Sequence, residues 1–475
     1  MGISKKTIRL YASAKAVITQ YLYLPGSHRL NNVIKRIDKL GNSEVESGIE
    51  KVMRAFAGRH RNIEQTFLNH FSRIADQNKS SLEYFSLQKK ILLGAFFTKE
   101  YSIEAAALFN PSIVPHPDQQ GLKADEQRFI MSLRATGEGH ISSIVFQTGI
   151  IDNMANITLD NSTGYFTPLK KRLDTSYNKL FISKRAATIP EFNRSILDNL
   201  PESFSAAEAS HILNSIKPTE PSIIDSVMVF EKIMDNNYEL ESSSHVPLNE
   251  KVIFPISNAE SMGMEDARFV KFHDGEQYCY YGTYTAYNGK HIQTHLIETT
   301  NFDVFKIRAL YGAAVADKGM ALFPEKVNGK YAMISRQGGE KINIMFSENL
   351  YFWKDFQILM EPRYPWEFLQ VGNCGSPIKT TKGWLLLTHG VGAMRTYVIS
   401  AILLDLHDPT RIVGRLDKPL IEADENEREG YVPNVVYTCG FMLHGNHLII
   451  PYAVSDSATA FATIGLDEIL RDMKL

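Results

Sequence analysis

Two adjacent carboxylates occupy the run GMEDARF, where Glu265 and Asp266 follow a glycine-flanked turn and precede a strand-like segment. A sheltered carboxylic acid can protonate a leaving oxygen, which is the chemistry of glycoside cleavage. Adjacent residues of a strand are expected to point to opposite faces, so these two carboxylates are not automatically a catalytic pair. Taken alone, such a run more often caps a turn or pairs with a neighbour such as Arg268.

Three basic side chains, Lys318, Arg336 and His389, lie at or near the ends of separate strand-like segments. Singly, each is more often a surface charge or a structural hydrogen-bonding residue. Brought together they would form an anion site, because Arg offers a planar fork to phosphate and Lys a point charge.

A repeat along the chain predicts how these residues are positioned. Two-residue turns separate pairs of β-rich runs at Asp274-Gly275, Asn328-Gly329, Lys382-Gly383 and His444-Gly445. Asp-Gly and Asn-Gly pairs are strong hairpin signals. An earlier segment, RFIMSLRATGEGHISSIVFQTG, has the same form. A hairpin repeat of about 50–60 residues predicts a β-propeller.

In a propeller, equivalent strand ends converge on one central channel. We therefore expect a common site for residues far apart in sequence, namely Arg134, Tyr284 or Tyr287, Arg336, His389 and Asp456. Tyr287, beside Asn288-Gly289, is the tyrosine we expect at the channel rim.

Outside the repeat the sequence is helical in two places. Apolar residues at helical spacing, including Val45, Ile49, Ile63 and Phe67, predict a helical N-terminal extension over residues 1–104. Residues 105–475 form the predicted catalytic domain. Within it, Ser205 and Glu208 form a capping-box signature in a partly helical insertion over 165–245. The N-terminal helices are a candidate surface for a homo-oligomer.

Composition excludes several function classes. The net charge of -2 and pI near 6.7 do not favour a nucleic-acid or membrane partner. Three widely spaced cysteines predict no disulfide framework and a cytoplasmic protein. No metal-binding, P-loop, dinucleotide-binding or nucleophile-elbow motif occurs in the sequence, so we expect no metal and no cofactor. Carboxylate chemistry on a sugar is then the leading enzyme class.

Five ordered motifs resemble glycoside hydrolase family 130, the mannoside phosphorylases and β-1,2-mannosidases. They are GMEDARF, DKGMALFPEKVNGKY, WEFLQVGNCGSPIKTTKGWLLLTHGV, EREGYVPNVVYTCG and YAVSD. Ala267 stands where the family's G-x-E-D-P-R has proline, and Cys374 and Ser376 alter G-x-G-x-P-P-I, which indicates a divergent subgroup.

The resemblance implies a mostly β, five-bladed β-propeller and an inverting phosphorylase that releases mannose 1-phosphate from β-mannosides. Its catalytic acid falls on Asp266, which in the family protonates the leaving oxygen through the 3-hydroxyl of the bound mannose. Inorganic phosphate is the co-substrate. The implied phosphate contacts are Lys318, Arg336 and His389, and the implied substrate contacts are Asn110, Arg134, Arg268, Tyr287 and Asp456.

Two alternatives remain open from the sequence. An inverting β-mannosidase on the same fold would need a carboxylate that activates water, and Glu340 and Glu367 are candidates. A carbohydrate-binding propeller without turnover is a more distant alternative. The linkage cleaved and the acceptor sugar are not encoded in these motifs.

Overall fold

The computed structural model describes residues 2–78, 82–190, 192–215, 221–242 and 245–474. The predicted mostly β chain is confirmed. Parts of the predicted insertion, at residues 191, 216–220 and 243–244, lie outside the described residues. Within the described part, no helix is long and apolar enough to span a membrane.

The N-terminal segment differs from a purely helical extension at its start. Two strands come first, because residues 4–11 pair with the C-terminal strand Ala458–Gly465 and residues 17–21 pair with residues 98–102. Helices then follow where the apolar period predicts them, with Val45, Ile63 and Phe67 buried. The elements are β1 Ser4–Tyr11, β2 Val17–Tyr21, α1 Ser27–Asp38, α2 Asn42–Phe56, α3 Ile63–Asn78, α4 Leu87–Phe96 and β3 Thr98–Ser102.

The first antiparallel strands after this segment form sheet group 1. Group 1 comprises β4 Ala107–Pro115, β5 Gln127–Thr136, β6 Ser142–Ile151 and β7 Ile157–Leu159. The insertion that follows contains β8 Thr167–Pro168, β9 Lys170–Lys171, β10 Ser176–Asn178, α5 Lys179–Ala186, α6 Ser195–Asp198, β11 Ser203–Ser205, α7 Ala206–Ser215, α8 Pro221–Asp235, β12 Asn237–Glu241 and β13 Lys251–Ile253.

The predicted capping box in the insertion is confirmed. The backbone N–H of Ser205 donates to Glu208 Oε2 at 2.7 Å, and the Glu208 N–H donates to Ser205 Oγ at 3.2 Å. These bonds satisfy two backbone donors that α7 leaves without helical partners.

Four further sheet groups follow, each built from antiparallel neighbours. Group 2 is β14 Gly263–Asp274, β15 Gln277–Tyr287, β16 Ile292–Thr299 and β17 Val304–Ala309, with β12 on its outer edge; group 3 is β18 Ala321–Leu322, β19 Tyr331–Ser335, β20 Ile342–Ser347 and β21 Gln357–Met360. Group 4 is β22 Gln370–Asn373, β23 Ile378–Thr380, β24 Gly383–Val391, β25 Tyr397–Leu404 and β26 Ile412–Arg415. Group 5 is β27 Val436–Tyr437, β28 Met442–His444, β29 His447–Val454 and β30 Ala458–Gly465, joined by β1 and followed by α9 Leu466–Asp472.

The four predicted turns all connect paired segments. At Asn328-Gly329 both residues have positive φ, 51° and 80°, as a type I′ hairpin turn requires. Groups 1 and 2 belong to one twelve-stranded sheet, but a single parallel pair, Ser142 with Gly263, links β6 to β14. Among the described residues no sheet closes on itself.

Apolar cores lie between consecutive sheet groups. Separate clusters join groups 1 and 2, 2 and 3, 3 and 4, and 4 and 5. A further cluster joins group 5 back to group 1, with Ile449 of β29 packed among Phe129 and Val145. Each group therefore buries both faces against its neighbours.

The N-terminal strand is part of the C-terminal sheet. β1 pairs antiparallel with β30, with Ser4 opposite Thr463. Beside this pairing, the carboxylate of Glu427 accepts hydrogen bonds from Lys5 Nζ at 2.5 Å, Arg9 Nη2 at 2.8 Å and Tyr452 Oη at 2.7 Å. Since Glu427 is 1% exposed, these partners offset the cost of burying its charge.

Replacing Glu427 with alanine should lower the free energy of unfolding by about 3 kcal/mol, because two cations and a buried hydroxyl lose their acceptor. Urea denaturation measures the change. Exposed Glu429 is the matched control, and Glu429→Ala should shift stability by less than about 0.5 kcal/mol. Equal losses in the two variants would contradict a role for Glu427 in fastening β1.

Candidate active site

Asp266 lies in a β-bulge of β14. The register of β14 with β15 shifts between Glu265 and Arg268, and Asp266 has a φ of 54°. Positive φ is uncommon for a residue with a side chain, and it re-aims the side chain relative to a regular strand. The expectation that Glu265 and Asp266 point to opposite faces is therefore wrong here, since both carboxylates meet the same arginine.

That arginine is Arg134 of β5. Its Nη2 donates to Glu265 Oε1 at 2.9 Å, its Nη1 to Asp266 Oδ1 at 3.2 Å, and its Nε to Ser142 Oγ at 2.8 Å. The guanidinium also lies over the Phe109 ring, 5.1 Å from its centroid. The planar fork of arginine thus fixes both carboxylates in one geometry.

Asp266 has further partners. Asn110 Nδ2 donates to Asp266 Oδ1 at 2.6 Å, and Asn110 itself sits in a bulge of β4 with a φ of 51°. No residue that the structure describes donates a hydrogen bond to the second oxygen, Oδ2. The two oxygens of this carboxylate are therefore chemically different.

Arg268 holds the bulge through a hydrogen bond to the Asp266 backbone. Its Nη1 donates to the backbone oxygen of Asp266 at 2.8 Å, and its Nη2 donates to Tyr437 Oη at 2.6 Å. Tyr437 belongs to β27, so this contact ties group 2 to group 5 at the site. Burial would lower the pKa of Arg268, but Tyr437, Cys439 and Asp266 raise it above its usual range.

The predicted basic set is brought together in part. Lys318 Nζ donates to Glu265 Oε2 at 2.5 Å, next to Asp266. Arg336 Nη1 lies 3.4 Å from His389 Nε2. A Cβ on Gly319, the neighbour of Lys318, would stand 3.9 Å from Arg336 Nε, so the lysine and the arginine occupy one region. Arg336 Nε is buried without a hydrogen-bond partner among the described residues.

His389 is neutral at physiological pH. Burial first, then the charges of Arg336 and Arg268, hold its pKa well below the usual value. Its ring stacks on Tyr397 with centroids 5.7 Å apart and meets Tyr437 edge-on at 5.0 Å. The positive charge of the basic set therefore comes from Lys318 and Arg336.

Three cations act on the charge of Asp266. Burial opposes ionisation, but Arg134, Arg268 and Lys318 outweigh it, and its pKa falls to about 2. Burial and then repulsion from Asp266 raise the pKa of Asp456 to about 6, against the opposing effect of Arg134. Asp456 lies in the turn after β29 with a φ of 50°. Asp266 is therefore firmly ionised, whereas Asp456 is the weaker acid.

The two tyrosines considered from the sequence occupy different environments. Tyr284 is buried, and its hydroxyl contacts Glu260 and lies 3.1 Å from His295 Nδ1. Tyr287 is half-buried at the end of β15, where its hydroxyl donates to Gly289 O at 3.0 Å. No hydrogen bond of the described residues joins Tyr287 to the Asp266 network.

Sequence reasoning missed several residues of this site. Glu265 was identified but not assigned to it, and no local pattern singled out Ser142 or Tyr437. A further buried residue, Glu260, lies in the turn before β14. Glu260 is fully buried and accepts hydrogen bonds from Tyr238 Oη at 2.9 Å and from the Ser257 N–H at 2.9 Å. The capping-box spacing of Ser257 and Glu260 was the one available signal.

The two carboxylates considered for water activation differ in environment. Glu367 is fully buried, is paired with Arg415, and accepts the backbone N–H groups of Arg363 at 2.6 Å and Tyr364 at 2.8 Å. Those bonds occupy it structurally. Glu340 is exposed. In the described part of the chain, no group of three or more His, Cys, Asp or Glu side chains is arranged to hold a metal ion.

A family model matches the part of the chain that contains most of the predicted site residues. The model of glycoside hydrolase family 130, described as beta-1,4-mannooligosaccharide phosphorylase, matches residues 224–475. Seven of the nine predicted site residues lie inside this match, and Asn110 and Arg134 lie before it. The chain belongs to glycoside hydrolase family 130.

Individual relatives are mannoside phosphorylases. The chain is 33% identical over 227 residues to the 1,2-beta-oligomannan phosphorylase of Thermoanaerobacter sp. (strain X514), covering 47% of this chain and 75% of that protein. It is 32% identical over 240 residues to the beta-1,2-mannobiose phosphorylase of Listeria innocua, covering 49% and 66%. The solved structure of a Listeria innocua beta-1,2-mannobiose phosphorylase with beta-1,2-mannobiose has a TM-score of 0.47 at 22% identity, covering 77% of this chain and 92% of that one.

The raised pKa of Asp456 predicts a pH dependence of stability. Between 3.8 and about 6 the folded protein holds this proton more tightly than the unfolded chain, so stability falls as pH rises through that window. Between pH 4.5 and 7.5 the free energy of unfolding should therefore fall by about 2 kcal/mol less in Asp456→Asn than in the wild type. Urea denaturation at pH 4.5 and 7.5 measures it, and parallel pH profiles for the two proteins would contradict the burial of an acidic Asp456.

Proposed function

We propose that this chain is an inverting phosphorylase that cleaves β-mannosides with inorganic phosphate and releases α-mannose 1-phosphate. The observation that carries the proposal is the joining of Asp266 to Arg134 and Asn110 beside Lys318, with the Arg336–His389 pair in the same region. The mannoside phosphorylases among its relatives support the substrate class.

The fold we propose for residues 105–475 is a five-bladed β-propeller completed by β1, with the five sheet groups as blades. Its support is the succession of core clusters from group 1 to group 5 and back to group 1. A cavity of about 300 Å³ adds to this, because segments of all five groups line it, including Ile113, Phe269, Pro324, Ile378 and Met442.

The charges of the basic residues determine their proposed roles in binding phosphate. Phosphate is already an anionic nucleophile, so it needs positioning and neutralisation more than a general base. Lys318 and Arg336 supply positive charge, and neutral His389 supplies a hydrogen-bonding nitrogen beside Arg336. Phosphate attacks the anomeric carbon as the bond to the leaving oxygen breaks.

Asp266 supplies the proton for that oxygen, by way of the mannose 3-hydroxyl. Its Oδ1 is occupied by Arg134 and Asn110, so Oδ2 is the oxygen that takes up the proton when the carboxylate is protonated. Substrate contacts are assigned to Asn110, Arg134, Arg268, Tyr287 and Asp456 around it. Arg134 and Arg268 also hold the bulge that aims the acid.

The low pKa of Asp266 sets a condition on this mechanism. An acid with a pKa of about 2 carries no proton at neutral pH. A phosphate anion beside Lys318 cancels part of the positive field that keeps Asp266 ionised, and the burial of the carboxyl group then raises its pKa. Phosphate and the catalytic proton therefore enter the site together.

A hydrolase needs a second carboxylate that activates water. Glu367 is unsuited, because its carboxylate is buried and held by Arg415 and two backbone donors. We also propose a cytoplasmic enzyme, in keeping with its three free cysteines, and an oligomeric role for the helices of residues 27–96.

Incubation with β-1,2- and β-1,4-mannobiose, with and without phosphate, tests the proposal. We expect α-mannose 1-phosphate, detected by ³¹P NMR, only when phosphate is present. Asp266→Asn should lower kcat by about 10²–10⁴-fold, the contribution of a general acid.

The matched control is Asp274→Asn, an exposed carboxylate at the far end of the same strand, paired with Lys326. That variant should retain wild-type turnover. Release of free mannose at the same rate with and without phosphate would rule out the phosphorylase.

A further inference from the structure

A cavity of about 810 Å³ lies between the insertion and sheet group 2. Helices α5 and α8 form one wall. The turn between β15 and β16, together with residues 258–259, forms the other. Its lining includes Arg185, Met228, Lys232, Asn236, His291 and Gln293.

The cavity lies at the same end of the strands of group 2 as Asp266. Gly263, which begins β14, pairs with Tyr287 at the end of β15, and Tyr287 pairs with Ile292 at the start of β16. Asp266 lies three residues after Gly263, at this end of β14. Adjacent strands lie about 4.8 Å apart, so β16 is about 10 Å from β14, the span of a short oligosaccharide.

The lining suits a neutral polar ligand. Its cations, Arg185 and Lys232, are matched in number by its acids, Glu231 and Asp235. Amide side chains add paired donors and acceptors at Asn236, Asn258, Asn288 and Gln293. A few polar groups on a partly apolar wall are typical of small-ligand sites.

Two buried polar atoms of the lining residues have no hydrogen-bond partner in the described structure. They are Arg185 Nε, a donor, and Asn236 Oδ1, an acceptor. A buried polar atom without a partner costs about 1–3 kcal/mol, so it calls for an explanation. A sugar hydroxyl both donates and accepts, so it can supply the kind of partner that each of these atoms lacks.

We propose that this cavity binds the leaving-group end of a β-mannooligosaccharide whose non-reducing mannose lies at Asp266. The insertion then determines which chain lengths the enzyme prefers. This inference rests on the proposed function, because it places the scissile bond at Asp266.

The test is a cavity-filling substitution on α8. Met228 lines the cavity and is 63% exposed, so Met228→Trp adds bulk without disturbing the core. Ile224, one turn away and 46% exposed, does not line the cavity, which makes Ile224→Trp the matched control. The measurement is kcat/KM for phosphorolysis of β-1,2- and β-1,4-linked mannooligosaccharides, from mannobiose to mannopentaose.

Wild-type enzyme should prefer longer chains. Met228→Trp should lower the mannotetraose-to-mannobiose ratio of kcat/KM about tenfold, the equivalent of one lost hydrogen bond, and Ile224→Trp should preserve it. A wild-type enzyme indifferent to chain length, or a ratio unchanged in Met228→Trp, would overturn the proposal.

Binding without turnover separates this inference from the proposed function. Mannotetraose is titrated calorimetrically into Asp266→Asn and into Asp266→Asn combined with Met228→Trp. Weaker binding in the double variant supports the cavity even if no mannose 1-phosphate forms, in which case only the phosphorylase proposal fails. Equal affinity in both variants overturns the cavity proposal.

Discussion

The bidentate contact of Arg134 with two neighbouring carboxylates is the interaction on which this site depends. One guanidinium binds Glu265 and Asp266 from a different strand, and Glu265 in turn accepts the hydrogen bond of Lys318. A chain of alternating charges therefore connects the acid to the anion-binding side. Its members are buried or half-buried, and Arg134 and Lys318 both help to hold the pKa of Asp266 below its usual value.

Backbone geometry makes this contact available. Asn110 and Asp266 both sit at bulges with positive φ, each near the start of its strand. Such conformations cost energy and persist only where the surroundings hold them. Here Arg268 holds the Asp266 carbonyl, and the buried Glu260 holds the turn before β14 through the Ser257 N–H. The packed cores between sheet groups stabilise the strands that carry these residues.

What the sequence could predict was local. Asp-Gly and Asn-Gly turns, helical apolar spacing and the Ser205–Glu208 capping box each depend on a few neighbouring residues, and each is confirmed. The pairing of β1 with β30 joins opposite ends of the chain, so no local pattern reveals it. The bulge at Asp266 depends on the register with β15, which explains why alternation along a strand failed there.

The family motifs predicted which residues form the site but not the protonation state of their side chains. Only the three-dimensional arrangement reveals that cations lower the pKa of Asp266 to about 2, and that His389 is neutral. In the mechanism that we propose, phosphate binding is therefore coupled to protonation of Asp266.

Proton uptake on phosphate binding reports this coupling. Inorganic phosphate is titrated calorimetrically into wild-type enzyme and into Asp266→Asn, near pH 7, in buffers of different ionisation enthalpy. We expect net proton uptake by the wild type that is absent in Asp266→Asn. Phosphate binding with no proton uptake by the wild type, or with equal uptake by both proteins, would contradict it.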